Sequence, residues 1–122
     1  MVCVAHYGVF VSVEELTLAQ AHELRRGTVV LACLALLREP SYGYALLETL
    51  NGAGVSVDGN TLYPLLRRLE KQGLLTSEWN TDESRPRKFY RVSPDGSLVL
   101  AGLVREWQDL SATIARLTKE NG

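Results

Sequence analysis

Residues 58–73, Asp-Gly-Asn-Thr-Leu-Tyr-Pro-Leu-Leu-Arg-Arg-Leu-Glu-Lys-Gln-Gly, constrain the chain more than any other stretch. Leu62, Leu65, Leu66 and Leu69 recur at helical spacing and form one apolar stripe. Asp58 or Asn60 can cap the start, since a short side-chain oxygen accepts from the free N–H groups of a first turn. Gly73 can take the left-handed conformation that ends a helix. Pro64 removes a backbone donor and crowds the carbonyl four residues back, so regular helix is expected only from about Thr61. Away from the stripe point Asn60, Thr61, Tyr63, Arg67, Arg68 and Lys71. A helix with an apolar back and a polar, cationic front suits a DNA major groove. It is equally the pattern of an ordinary amphipathic helix with a solvated face.

The charge distribution bears on that choice. The net charge of the 122-residue chain is −1, which argues against a uniformly basic nucleic-acid coat. Residues 67–91 nevertheless hold seven cations against four acids, and residues 1–23 hold no Lys or Arg. A local basic patch can still bind phosphate, with salt-sensitive affinity. The length is enough for one domain with a modest core. The two cysteines, Cys3 and Cys33, form no CxxC pair, so neither a zinc site nor a disulfide scaffold is indicated. No signal peptide is evident, and the longest apolar run, residues 28–37, is about half a membrane span, which together fit a cytoplasmic setting.

The rest of the chain supplies the neighbours of this helix. Residues 1–11 are apolar and unpatterned: a strand, an arm or an upstream extension. Ser12 followed by Glu15 is a capping-box pattern, and a helix is expected from about Val13. Residues 24–38 read as one helix apolar nearly all round, hence buried, with Cys33 in the core. Ser41 is the expected cap of a short helix over residues 42–50, with Leu46, Leu47 and Leu50 inward. Residues 74–79 and 88–92 are β-prone and flank a polar stretch holding Pro86, a hairpin with a charged tip. Arg85, Arg87 and Lys88 cluster there, fit for phosphate or a narrow minor groove, although hairpin tips are polar in any case. Ser93-Pro94 opens a long helix reaching about Lys119. In it Leu100, Leu103, Trp107, Leu110, Ile114 and Leu117 repeat at spacings of 3 and 4, an a/d seam suited to internal packing or, as a small core has little room for it, to dimerisation.

Three helices, a hairpin and a long helix are the order of a winged helix-turn-helix. The expected fold class is mainly α (α+β): an N-terminal extension (1–23), a winged helix-turn-helix domain (24–93) and a C-terminal dimerisation helix (94–119). The segments Tyr42-Gly43-Tyr44-Ala45-Leu46, the run from Asn60 to Leu75 and Arg85-Pro86-Arg87-Lys88-Phe89-Tyr90-Arg91 resemble those of PadR-family transcriptional regulators, in order and separation. The match covers about residues 24–119 and points to the small subfamily with a single dimerising C-terminal helix, in which a proline in the recognition helix is tolerated.

The resemblance implies a homodimeric repressor that binds double-stranded DNA at an inverted repeat and is released by a small molecule, with no cofactor. It implies that Thr61 and Tyr63 face bases or phosphates, that Tyr42 and Tyr44 touch the DNA backbone, and that Arg85, Arg87 and Lys88 are wing contacts. Trp107 matches a position where some multidrug-binding members stack flat aromatic effectors between subunits; it can equally fill the seam. Two departures stand out: Ser84 replaces a glycine common before the Arg-Pro, and the N-terminal extension is longer than usual. Two other readings compete. One is a metal-responsive repressor of the same fold, which needs Cys3, His6 and His22 to converge or surface groups to recruit a metal. The other is a winged-helix protein-interaction module without DNA binding. No nucleophile–base pair, Gly-rich phosphate loop or paired carboxylates point to an enzyme.

Overall fold

The structure, a computed structural model, describes residues 3–6, 9–82 and 84–119, the side chains of residues 3–6, 9 and 10 excepted. It opens with a hairpin, β1 (Cys3–His6) and β2 (Val9–Ser12). Ser12 Oγ then accepts from the backbone N–H of Glu15 and starts α1 (Val13–Arg25), the capped helix expected there. No residue of α1 is buried, and Arg25 Nη1 reaches over to donate to the carbonyl of Gly54.

The chain breaks where a single helix over residues 24–38 was expected. Arg26 and Gly27 form a turn, Thr28 Oγ1 donates to the Arg25 carbonyl, and α2 (Thr28–Leu36) starts afresh. The apolar pattern of 28–37 is continuous, but it starts only after Gly27, which stays in the right-handed region and carries little helix propensity. α2 is buried through Val29, Cys33 and Leu34. Burial without a partner pushes the Cys33 thiol up to about 12, which marks it as a small apolar core residue.

Ser41 does not cap the next helix. Ser41 and Tyr42 are extended as β3 (Ser41–Tyr42), paired with Tyr90 and Phe89, and Ser41 Oγ donates to the Tyr42 carbonyl. α3 (Gly43–Gly52) follows, burying Gly43, Leu46 and Leu50 and leaving Leu47 half-buried. The recognition-helix candidate, α4 (Gly59–Lys71), begins two residues earlier than Pro64 had suggested, with Asp58 Oδ1 accepting from the Thr61 N–H as its cap. Proline inside a helix costs about 3 kcal/mol. Burying Leu62, Leu65, Leu66 and Leu69 contributes about 1.5–3 kcal/mol each, so packing wins. Gly73, at φ +81°, ends the helix as expected.

β4 (Leu75–Asn80) and β5 (Arg87–Val92) form the hairpin, and the sheet order is β3-β5-β4, all antiparallel. Leu75, Tyr90 and Val92 close the core over α2, α3 and α4. α5 (Pro94–Thr118) starts at a welded corner. Ser93 Oγ donates to the Gly73 carbonyl and accepts from the Gly96 N–H, while the Ser93 N–H donates to the Leu74 carbonyl. Gly96 is required there, since a β-carbon would lie 2.1 Å from the Leu74 oxygen. The six seam residues of α5 divide: Leu100 is buried in this chain's own core and Leu103 packs against it, whereas Trp107, Leu110, Ile114 and Leu117 are exposed.

Candidate nucleic-acid interface

With its leucines turned inward, α4 presents Asn60, Thr61, Tyr63, Arg67, Arg68 and Lys71 to solvent. Tyr63 is held from two sides by glycines. A β-carbon on Gly43 would stand 2.8 Å from its Cε1, and one on Gly59 3.0 Å from its Cε2. The ring therefore occupies space that only glycine leaves, at the join of α3 and α4. It is 37% exposed.

Next to Gly43 on both sides stand Tyr42 and Tyr44, whose rings stack 5.8 Å apart at 11°. Each tyrosine grips the wing. The Tyr42 hydroxyl accepts from Asn80 Nδ2 at 2.6 Å, and its ring meets Phe89 edge-on. The Tyr44 hydroxyl accepts from Arg87 Nη1 at 2.8 Å, and the Arg87 guanidinium lies 5.0 Å from the ring centre. Tyr44, Arg85, Pro86 and Arg87 line an open cleft of about 360 Å³. The contacts Tyr63–Gly43–Tyr44–Arg87 thus join the start of α4 to the wing.

Lys88 faces the other side of β5. Its Nζ lies 3.0 Å from Glu70 Oε1 and 5.2 Å from the centre of the Tyr90 ring. Ser77 Oγ donates to the second Glu70 oxygen. The Ser77 hydrogen bond, with help from Lys88, holds the Glu70 carboxyl below its ordinary range despite partial desolvation. The Glu70 hydrogen bond in turn raises the Lys88 ammonium. All the expected DNA-facing residues therefore lie on or beside the α4–wing surface, but not in one state: Lys88 is ion-paired within the protein, whereas Arg67, Arg68, Lys71 and Arg85 are exposed.

Sequence reasoning had passed over Glu70, Ser77, Asn80, Gly43 and Gly59. The available signal was period-2 alternation, which puts Ser77 and Lys88 on one sheet face and Asn80 and Arg87 on the other. For the metal reading, the Cys3 and His6 side chains lie outside the described residues, and His22 is exposed on α1. Among the described residues no His, Cys, Asp and Glu side chains group so as to hold a metal ion.

A helix pair whose second member displays a polar, cationic face, flanked by a three-stranded wing and followed by a long helix, defines a winged helix-turn-helix protein. Comparison with known proteins narrows the class. Residues 30–102 match the transcriptional regulator PadR-like family, and the chain belongs to that family of transcriptional regulators, not to a family of enzymes. Its fold is similar to the crystal structure of a PadR family transcriptional regulator from Eggerthella lenta, with 45% identity and a TM-score of 0.85 over 88% of this chain and 96% of that one. A PadR-like transcription factor from Bacteroides fragilis matches at 31% identity and a TM-score of 0.68, over 82% of this chain and 99% of that one. A transcriptional regulator of Mycobacterium tuberculosis is 37% identical over 73 residues, 60% of this chain and 68% of the relative. Among the described residues no helix is long and apolar enough to cross a membrane.

Proposed function

We propose that this regulator is a cytoplasmic repressor that binds an inverted-repeat operator as a homodimer and leaves it when a flat, aromatic small molecule binds. The observation that carries the reading is the line of contacts from Tyr63 through Gly43 and Tyr44 to Arg87. It supports a single surface on which Asn60, Thr61 and Tyr63 read bases or phosphates. Arg67, Arg68, Lys71, Arg85 and Arg87 supply positive charge along the backbone, and Tyr42 and Tyr44 flank it.

Residues 24–93 form the reading head and residues 94–119 the joint. The exposed stripe Trp107, Leu110, Ile114 and Leu117 supports pairing with a second copy, because apolar residues at that spacing gain most by interdigitating. Two heads then meet half-sites about 34–36 Å apart. Trp107, 54% exposed within that stripe, is the proposed effector platform.

The test is a gel shift of the duplex upstream of the protein's own reading frame across a salt series. Arg85→Ala and Arg87→Ala are each expected to weaken binding and to reduce the log–log salt slope by about 0.9. Ile114→Asp is expected to yield monomers in sedimentation and to abolish binding to the full operator. A wild-type protein that retards no upstream fragment at low salt points instead to the protein-interaction module.

A further inference from the structure

Two successive cations of the wing face opposite ways. Arg87 lies against Tyr44 on the α3 side, and Lys88 is drawn to Glu70 on the α4 side. Glu70 accepts from both strands of the wing, from Ser77 on β4 and Lys88 on β5. The pair is only part-exposed, 28% for the lysine side chain and 32% for the glutamate. A phosphate that took Lys88 would leave a half-buried carboxylate facing the same anion. We infer, on the DNA-binding reading above, that Lys88 is a positioning residue: with Glu70 and Ser77 it latches the wing to α4 and neutralises no phosphate. Binding then benefits from preorganisation, since the wing is not ordered at the expense of affinity when the complex forms.

The experiment measures fluorescence anisotropy of the full chain on a labelled duplex of its own upstream DNA, over a range of salt concentrations. Lys88→Met is expected to raise Kd about three- to fivefold, the scale of a part-exposed ion pair, with the salt slope unchanged. Glu70→Gln, although it removes a negative charge, is expected to weaken binding as well. Glu78→Gln, which removes the same charge from the opposite face of β4, serves as the reference and is expected not to weaken binding. Lys88→Met and Glu70→Gln combined are expected to be no worse than the weaker single variant, and the exchange Glu70→Lys with Lys88→Glu to return Kd to within about twofold of wild type. A Lys88→Met slope lower by about 0.9, or a Glu70→Gln protein that binds more tightly in parallel with Glu78→Gln, overturns the latch and leaves the DNA reading intact. Absence of wild-type binding at low salt overturns both.

Discussion

Replacing Gly96 by alanine tests how the reading head is fixed to α5. In a helix the change by itself is favourable by about 1 kcal/mol, since alanine has the best propensity. Here the added carbon would lie 2.1 Å from the Leu74 carbonyl oxygen and 2.7 Å from Val92 Cγ2. Carbon–oxygen contacts ordinarily start near about 3.3 Å, so something must retreat by about 1 Å. The valine can turn, but the carbonyl is backbone and already accepts from the Ser93 N–H at 3.0 Å. The helix is also held close, because Ser93, its N-cap, donates through its N–H to the Leu74 carbonyl and through Oγ to the Gly73 carbonyl. Overpacking of this kind costs about 1–3 kcal/mol and sometimes more. With backbone as the obstacle we take the upper end, a net loss of about 2 kcal/mol or more. For a chain of this length that is a fall in Tm of at least about 6 °C. Gly102 provides the control on the same helix. Its nearest neighbour for an added carbon is Arg105 Nη2 at 4.0 Å, so Gly102→Ala is expected to gain about 0.5–1 kcal/mol. Thermal unfolding followed by circular dichroism, at one fixed protein concentration, measures both. If Gly96→Ala melts at or above the wild-type temperature, the close approach of α5 to Leu74 is wrong.

Gly43→Ala is expected to cost about 1–2 kcal/mol in urea unfolding, because the Tyr63 ring is hemmed in by Gly59 on its far side; an unchanged midpoint refutes the sandwich. Cys33, fully buried and titrating only at about 12, is expected to resist iodoacetamide at pH 8 in the native protein and to react once unfolded, as read by peptide mass mapping. The Glu70 carboxyl is held below its ordinary value of 4.5, so its contribution is complete above that value and fades as pH falls through the lower folded value. Wild type is thus expected to lose its stability advantage over Glu70→Gln progressively as the pH falls below 4.5, in paired melts; a constant difference down to about pH 2 contradicts the pairing.

What the sequence revealed was mostly what local rules govern. The leucine stripe of α4, the Ser12 and Ser93 caps and the glycine at 73 each act within a turn of helix, and each is where local chemistry puts it. What it hid depends on distant partners. Ser41 has the chemistry of a cap, but pairing with Tyr90, far along the chain, makes it a strand residue. A two-residue strand has no period to detect. The 24–38 helix failed because continuous hydrophobicity says that a segment is buried, not that it is unbroken. The penalty assigned to Pro64 was sound locally and was outweighed by tertiary burial. Glu70 reads as one acid among cations until the wing lies against it. A heptad seam, finally, records what wants to be covered and not which molecule covers it. Leu100 and Leu103 turn into this chain's core, while the outer four residues stay uncovered.

The corner at Ser93 and Gly96 has a mechanical consequence. Two hydrogen bonds from Ser93 to the Gly73 and Leu74 carbonyls, and a glycine where any side chain would meet Leu74, fix the start of α5 to the body it leaves. From Leu100 to Leu117 it extends as a strut of about 25 Å. In a pair joined through the outer part of such struts, bending is closed to each arm as a way of changing the distance between the two bodies. In such a pair, a molecule that altered that distance would do so by making the struts slip or rotate against each other, and the gearing would lie where they met.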